Sequence, residues 1–170
     1  CDVTLRMIEG ELYQLTKTGV VNLTEEEHLE IIRRKTAYLF GGCAQIGSIL
    51  GELPAPQQLA LRDYGFNLGI AFQLADDLLD YTADEEVLGK PVGGDVREGK
   101  MTLPLIHALT MLHGVEREQL ADVLQNFSDD RWGELTALLE SSGSFDCARQ
   151  LIENHIDRAL NSLDLLPRSD

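Results

Sequence analysis

With 170 residues, 44% of them hydrophobic, the chain is long enough for one packed core and too apolar to be intrinsically disordered. Its 14 Lys and Arg against 29 Asp and Glu leave a formal net charge of −15, which argues against nucleic acid and anionic lipid headgroups as primary partners. The 3 cysteines lack a C-x-x-C pair, which fits a reducing cytoplasm, and no apolar run approaches the roughly 18 residues that insert stably in a membrane.

Helical spacing of apolar residues dominates, and no sustained period-2 alternation marks a strand. The first helix is predicted from about Val3 to Lys17, ended by Gly19. The start, Cys-Asp-Val-Thr-Leu-Arg, is charged where a signal peptide is apolar. It lies inside a helical pattern without an initial Met, so the chain is expected to be a piece of something longer. Thr24 is predicted to cap a second helix running to about Leu50, with Glu25, Glu26 and Glu27 in the dipole-favoured first turn. A third helix is predicted from Pro56 to Tyr81, then a Gly- and Lys-rich loop from Leu88 to Lys100. Shorter amphipathic stretches follow at about Leu105–His113, Arg117–Asn126, Trp132–Leu139 and Phe145–Leu165, with Ser128 and Ser144 as candidate caps. No composition shift or repeat marks a boundary, so the expectation is a single all-α domain over residues 1–170.

The third helix carries the chemistry. At 100° per residue, with Asp76 at zero, Asp80 lies near about 40°, Gln73 about 60° and Asp77 about 100°, and Gly69 and Gly65 continue the stripe. Nearly all the remaining circumference is apolar, including Leu68, Ile70, Leu74 and Leu78, as in a buried helix. Three carboxylates within about 6 Å of axial rise repel one another, and burying them without compensation costs several kcal/mol. A hard divalent cation such as Mg²⁺, sharing its coordination sphere with water and a phosphate, solves that problem; a solvated face is the plainer alternative. Gly65 and Gly69 suit either close helix packing or room for a ligand.

In the loop, glycines let backbone N–H groups approach an anion, and Lys90, Arg97 and Lys100 add charge; the alternative is a flexible connection. Lys35 and Thr36 sit among apolar residues, so Lys35 either snorkels to the surface or faces a cavity. The four histidines show no metal-ligand spacing, and His107 reads as packing or surface. Cys43, in a run of small residues, is expected in the core.

Phe72-Gln-Leu-Ala-Asp-Asp-Leu-Leu-Asp80, then Gly89-Lys90 and Gly94-Asp95-x-x-x-Gly-Lys100-x-Thr-Leu-Pro104, resembles the second aspartate-rich region of trans-isoprenyl diphosphate synthases. Glu9-Gly-Glu-Leu-Tyr-Gln14 and Arg34-Lys35-Thr36-Ala37-x-Leu39 resemble that family's two preceding blocks, and the detail is most similar to bacterial octaprenyl and other long-chain members. The resemblance covers essentially the whole chain and implies the C-terminal half of the isoprenoid synthase helical bundle. The family's first aspartate-rich motif has no counterpart in these residues.

The resemblance implies a prenyltransferase: an allylic diphosphate ionises with Mg²⁺ assistance, isopentenyl diphosphate attacks the allylic carbon, and a proton is lost. It implies that Asp76 binds Mg²⁺ directly, while Asp77 and Asp80 act through water or hold geometry. Lys35, Lys90 and Lys100 would grip the allylic diphosphate, and Thr36 and Gln73 would stabilise charge near the reacting carbons. Phe72 would line the isopentenyl pocket, and Glu11 and Gln14 would give polar support. The same resemblance implies a cytoplasmic homodimer for the complete enzyme and no activity for this piece alone. A non-catalytic subunit of a heteromeric synthase and a terpene cyclase relative are the competing readings.

Overall fold

The structure, a computed structural model, describes residues 2–19, 22–83, 89 and 91–167. Leu88 and Lys90 of the predicted loop lie outside them. The described residues contain no β-strand and no helix long and apolar enough to cross a membrane. The all-α expectation holds.

Helix α1 spans Asp2–Lys17. Helix α2, Glu25–Ile32, begins at a reciprocal capping box. Thr24 Oγ1 accepts the Glu27 N–H at 3.2 Å, and Glu27 Oε2 accepts the Thr24 N–H at 2.9 Å. Lys17 Nζ joins the same carboxylate at 2.6 Å.

The helix predicted to run unbroken to residue 50 contains a π turn, Arg33–Ala37, before α3 resumes at Tyr38–Leu50. The Tyr38 N–H reaches back five residues to Arg33 O. Gly10 of α1 presses on this turn: a Cβ there would lie 2.7 Å from Arg34 Cβ and 2.9 Å from Lys35 N. The π turn rotates Lys35 and Thr36 off the faces that a regular helix would give them.

Helix α4, Ala55–Thr82, crosses α3 at a seam of small residues. A Cβ on Gly65 would meet Phe40 O at 2.6 Å, and one on Gly69 would meet Ala37 Cα at 2.8 Å. Both glycines therefore serve close packing and do not open a cavity. Gly41 and Gly42 are similarly pressed, by Arg62 O and by Val3 Cγ2, each at 3.0 Å. The next residue, Cys43, points away from that seam and is exposed, contrary to the core placement expected of it.

The predicted loop contains one helical turn, α5, Gly94–Arg97. Helix α6 follows at Leu103–Met111, where Pro104 falls in the first turn, the position at which its missing N–H is tolerated. Then come α7, Val115–Gln125, a 3₁₀ turn at Asp129–Arg131, α8, Trp132–Ser141, α9, Ser144–Ser162, and a last 3₁₀ turn at Leu163–Leu165. Ser128 precedes the first 3₁₀ turn without a side-chain capping bond. Ser144 is fully buried, and its hydroxyl meets His107 Nδ1 at 3.0 Å and Ser142 Oγ at 2.7 Å, so His107 is a packing histidine.

The chain divides into two compact units, each assembled from separated segments. The first comprises Cys1–Thr16, Leu29–Gln73 and Leu151–Asp170; the second comprises Lys17–His28 and Leu74–Gln150. Ile31, Ile32, Ile70 and Ala159 are buried in the first, and Leu74, Leu105, Leu120, Leu135 and Leu139 in the second. Since neither unit is contiguous, no step in composition marks them.

Candidate functional site

The first unit gathers one set of polar residues around the π turn. Gly10 lets α1 approach closely, and its two neighbours collect the basic pair of the turn. Arg34 Nη1 lies 3.5 Å from Glu9 Oε2, and Lys35 Nζ lies 3.2 Å from Glu11 Oε2. Lys35 also donates to Gln14 Oε1 at 2.7 Å. The Lys35 ammonium is thus half-buried and held by α1. Thr36 Oγ1 donates to Gln73 Oε1 of α4 at 2.9 Å. Phe72 is exposed beside Phe40, with ring centroids 5.4 Å apart. Lysine, hydroxyl and amide groups gathered at this turn suit an anionic, oxygen-rich ligand.

The second unit gathers the acidic set. The aspartates of α4 separate by burial: Asp76 is exposed, while Asp77 and Asp80 are buried at 6% and 4% exposure. His28 Nε2 of α2 lies 3.2 Å from Asp77 Oδ2, yet meets no acceptor at a hydrogen-bonding angle. Asp80 ties α4 to the glycine loop. Its main-chain O accepts the Gly93 N–H at 2.8 Å, and its Oδ2 accepts the Asp95 N–H at 2.9 Å. Asp95 Oδ1 in turn meets Lys100 Nζ at 3.0 Å, and Glu98 Oε2 meets the same ammonium at 2.7 Å.

The electrostatics follow from this crowding. Burial pushes the Asp95 carboxyl up; Lys100 opposes the shift, while Asp77 and Asp80 add to it. Burial works against the Lys100 ammonium, but the hydrogen bonds it donates to Glu98 and Asp95 outweigh it and raise its pKa above the usual lysine value. Lys100 is therefore charged and already held by two carboxylates that an incoming anion would have to displace.

Among the described residues no three His, Cys, Asp or Glu side chains are arranged to hold a metal ion by themselves. The donors are nonetheless hard oxygens, two are buried beside a third carboxylate, and a buried imidazole nitrogen lacks a hydrogen bond. That set fits a divalent cation which keeps water and takes further oxygens from a phosphate, and it does not fit a closed protein cage. Lys90 lies outside the described residues.

His28 and Asp95 join the acidic set only in the fold. His28 approaches Asp77 only through the packing of α2 on α4, and its spacing carries no ligand signal. Asp95 had one, its place five residues before Lys100 in the glycine loop.

The sequence model of the polyprenyl synthetase family matches residues 1–160. The octaprenyl diphosphate synthase of Escherichia coli K12 is 43% identical over 164 residues, covering 94% of this chain and 50% of that protein. A short chain isoprenyl diphosphate synthase of Methanothermobacter thermautotrophicus is 37% identical over 170 residues, covering 99% of this chain and 52% of that one. A polyprenyl synthase of Caulobacter crescentus, solved in complex with calcium and isoprenyl diphosphate, superposes with a TM-score of 0.93 at 36% identity, over 99% of this chain and 52% of the other. The chain spans about half the length of the curated relatives it matches. A match across nearly all its residues, in sequence and in helical fold alike, makes this chain a member of the polyprenyl synthetase family.

Proposed function

We propose that the chain supplies diphosphate- and metal-binding residues of a prenyltransferase that condenses isopentenyl diphosphate with an allylic diphosphate, making a trans-polyprenyl diphosphate. The observation that carries this reading is the buried pair Asp77 and Asp80, with Asp95 and Lys100 beside them, in the aspartate-rich block that resembles the family's second one. Buried like charges of this density call for a cation.

The leaving pyrophosphate gathers negative charge as the allylic C–O bond breaks, and bound Mg²⁺ supplies electrostatic stabilisation of that charge. The exposed Asp76 would hold Mg²⁺ directly, with Asp77 and Asp80 keeping the surrounding geometry. Lys35 and Lys100 would bind diphosphate oxygens after exchanging their present carboxylate and amide partners; Lys90 is assigned the same role from the sequence alone. Thr36 and Gln73 orient each other through their hydrogen bond and present polar atoms to developing positive charge. Phe72 would cover the isopentenyl group, and Glu11 and Gln14 steady Lys35. The complete enzyme is read as a cytoplasmic homodimer. These 170 residues alone are read as inactive, because they contain one aspartate-rich motif of the two that the family uses.

The test is a fusion of the first half of the Escherichia coli relative to this chain, assayed for incorporation of labelled isopentenyl diphosphate onto farnesyl diphosphate. The expected result is magnesium-dependent polyprenyl product, reduced at least 100-fold by Asp76→Ala. A folded fusion that incorporates nothing contradicts the proposal, and robust turnover by the 170-residue chain alone contradicts its inactivity.

A further inference from the structure

Trp132 is the chain's single tryptophan, and none of the family-like motifs includes it. It opens α8, directly after the 3₁₀ turn Asp129–Arg131. Its indole fills the space against Gly93: a Cβ on Gly93 would fall 2.6 Å from Trp132 Cζ3 and 3.0 Å from Cη2. Gly93 also has a φ of +78°, so both its conformation and its neighbour demand glycine. The indole is itself fixed. It stacks on Tyr81 with centroids 6.0 Å apart and planes 11° from parallel, and Phe127 meets it edge-on at 6.3 Å. Tyr81 is anchored in turn, its hydroxyl 2.6 Å from Thr102 Oγ1. A second tie lies three residues earlier, where Asp129 Oδ1 accepts from Arg97 Nε at 2.9 Å.

The segment held in this way is the one that meets the acidic helix. Gly93 and Asp95 donate their N–H groups to Asp80, and Asp95 holds Lys100. We propose that Trp132 is a positioning residue: its indole seats the Gly93–Asp95 turn on Asp80 and so sets the placement of Lys100 for a diphosphate. This rests on the diphosphate reading above. Trp132 touches no ligand and acts only through the turn.

The experiment compares the chain with its Trp132→Leu and Trp132→Phe variants by amide hydrogen exchange and by titration with pyrophosphate in the presence of Mg²⁺. Trp132→Leu is expected to speed exchange of the Gly93 and Asp95 amides at least tenfold while leaving those of Leu138 and Leu139 unchanged. It is also expected to weaken magnesium pyrophosphate binding at least fivefold. Trp132→Phe, which keeps an aromatic face, is expected to recover most of both. Should Trp132→Leu fail to fold, Trp132→Met, which keeps apolar bulk but no flat face against Gly93, takes its place with the same expected readings. Unchanged exchange at Gly93 and Asp95 overturns the proposal, as does faster exchange with unaltered pyrophosphate affinity. A wild-type chain that takes up no magnesium pyrophosphate contradicts the diphosphate reading instead, and the exchange comparison still decides what Trp132 does to the turn.

Discussion

Replacing Gly69 with alanine should destabilise the chain, although alanine is the better helix former. In a helix interior the exchange by itself gains about 1 kcal/mol. At Gly69, however, the new Cβ would sit 2.8 Å from Ala37 Cα and 3.0 Å from Phe40 Cβ. Carbon atoms rest at about 3.5–4.0 Å, so the backbone where the π turn joins α3 must retreat by on the order of 1 Å. Overpacking of this kind costs about 1–3 kcal/mol, and more where backbone rather than a flexible side-chain end must move. Because backbone must move, the cost lies at the upper end, about 2–3 kcal/mol, and the net loss is about 1–2 kcal/mol, which for a chain of this size lowers the melting temperature by roughly 2–8 °C. Gly47 of α3 is the internal control. Nothing lies within 4 Å of a Cβ built there. Gly47→Ala should therefore stabilise the chain by about 0.5–1 kcal/mol. Thermal melts and urea titrations of both variants check the pair. A Gly69→Ala protein as stable as the wild type would refute the close crossing of α3 and α4.

Other consequences are equally direct. His155 is buried against Asn67, and burial, followed by Arg158 and Arg33, lowers its pKa below the usual 6.5. The unfolded chain then binds a proton more readily, so this contribution to stability is complete above about pH 6.5 and declines as the pH falls through the interval down to the folded value. Melting temperatures between pH 7 and 5 should fall less in His155→Gln than in the wild type; identical slopes would contradict the assignment. Thr24→Ala should cost about 1 kcal/mol by removing the cap of α2, measured by urea unfolding. Lys17, helped by Thr24, holds the Glu27 carboxyl down to about 2, so the interactions of the capping box survive mild acid and weaken only as the pH drops from about 4.5 toward that value. Leu5, Ile8, Leu12 and Leu15 form one stripe on α1, each more than half exposed. The isolated chain should self-associate through it, its sedimenting mass rising with concentration and falling back in Leu12→Glu. A monomer at every concentration would contradict this.

The helices and the acidic stripe were legible in the sequence because both are periodic. Burial along the stripe was not. A helical wheel places Asp76, Asp77 and Asp80 within a third of the circumference, but what packs on each depends on other segments. Thus α2 brings His28 to Asp77, the glycine loop brings its amides to Asp80, and Asp76 stays exposed. The π turn was hidden for a similar reason, since it forms where Gly10 lets α1 press on Arg34 and Lys35, and no local propensity encodes that contact. Cys43 illustrates the limit of composition: two glycines beside it face packed neighbours, and one further step around the helix points the thiol outward. Motif spacing pointed to Lys35, Thr36 and Gln73; within the first unit Lys35 is bonded to Gln14 and Thr36 to Gln73. It passed over Trp132, whose contribution is a contact with a glycine 39 residues earlier in the chain.

Magnesium-dependent diphosphate binding by this chain is measured by calorimetric titration with inorganic pyrophosphate, with and without Mg²⁺, on the wild type and on Asp76→Ala. Asp76 is exposed, so its loss should leave the melting temperature unchanged or slightly higher, as like-charge repulsion is relieved. The expected uptake requires Mg²⁺ and weakens at least tenfold in Asp76→Ala. Uptake indifferent to Mg²⁺ or to Asp76, or none at all from a folded chain, would contradict it.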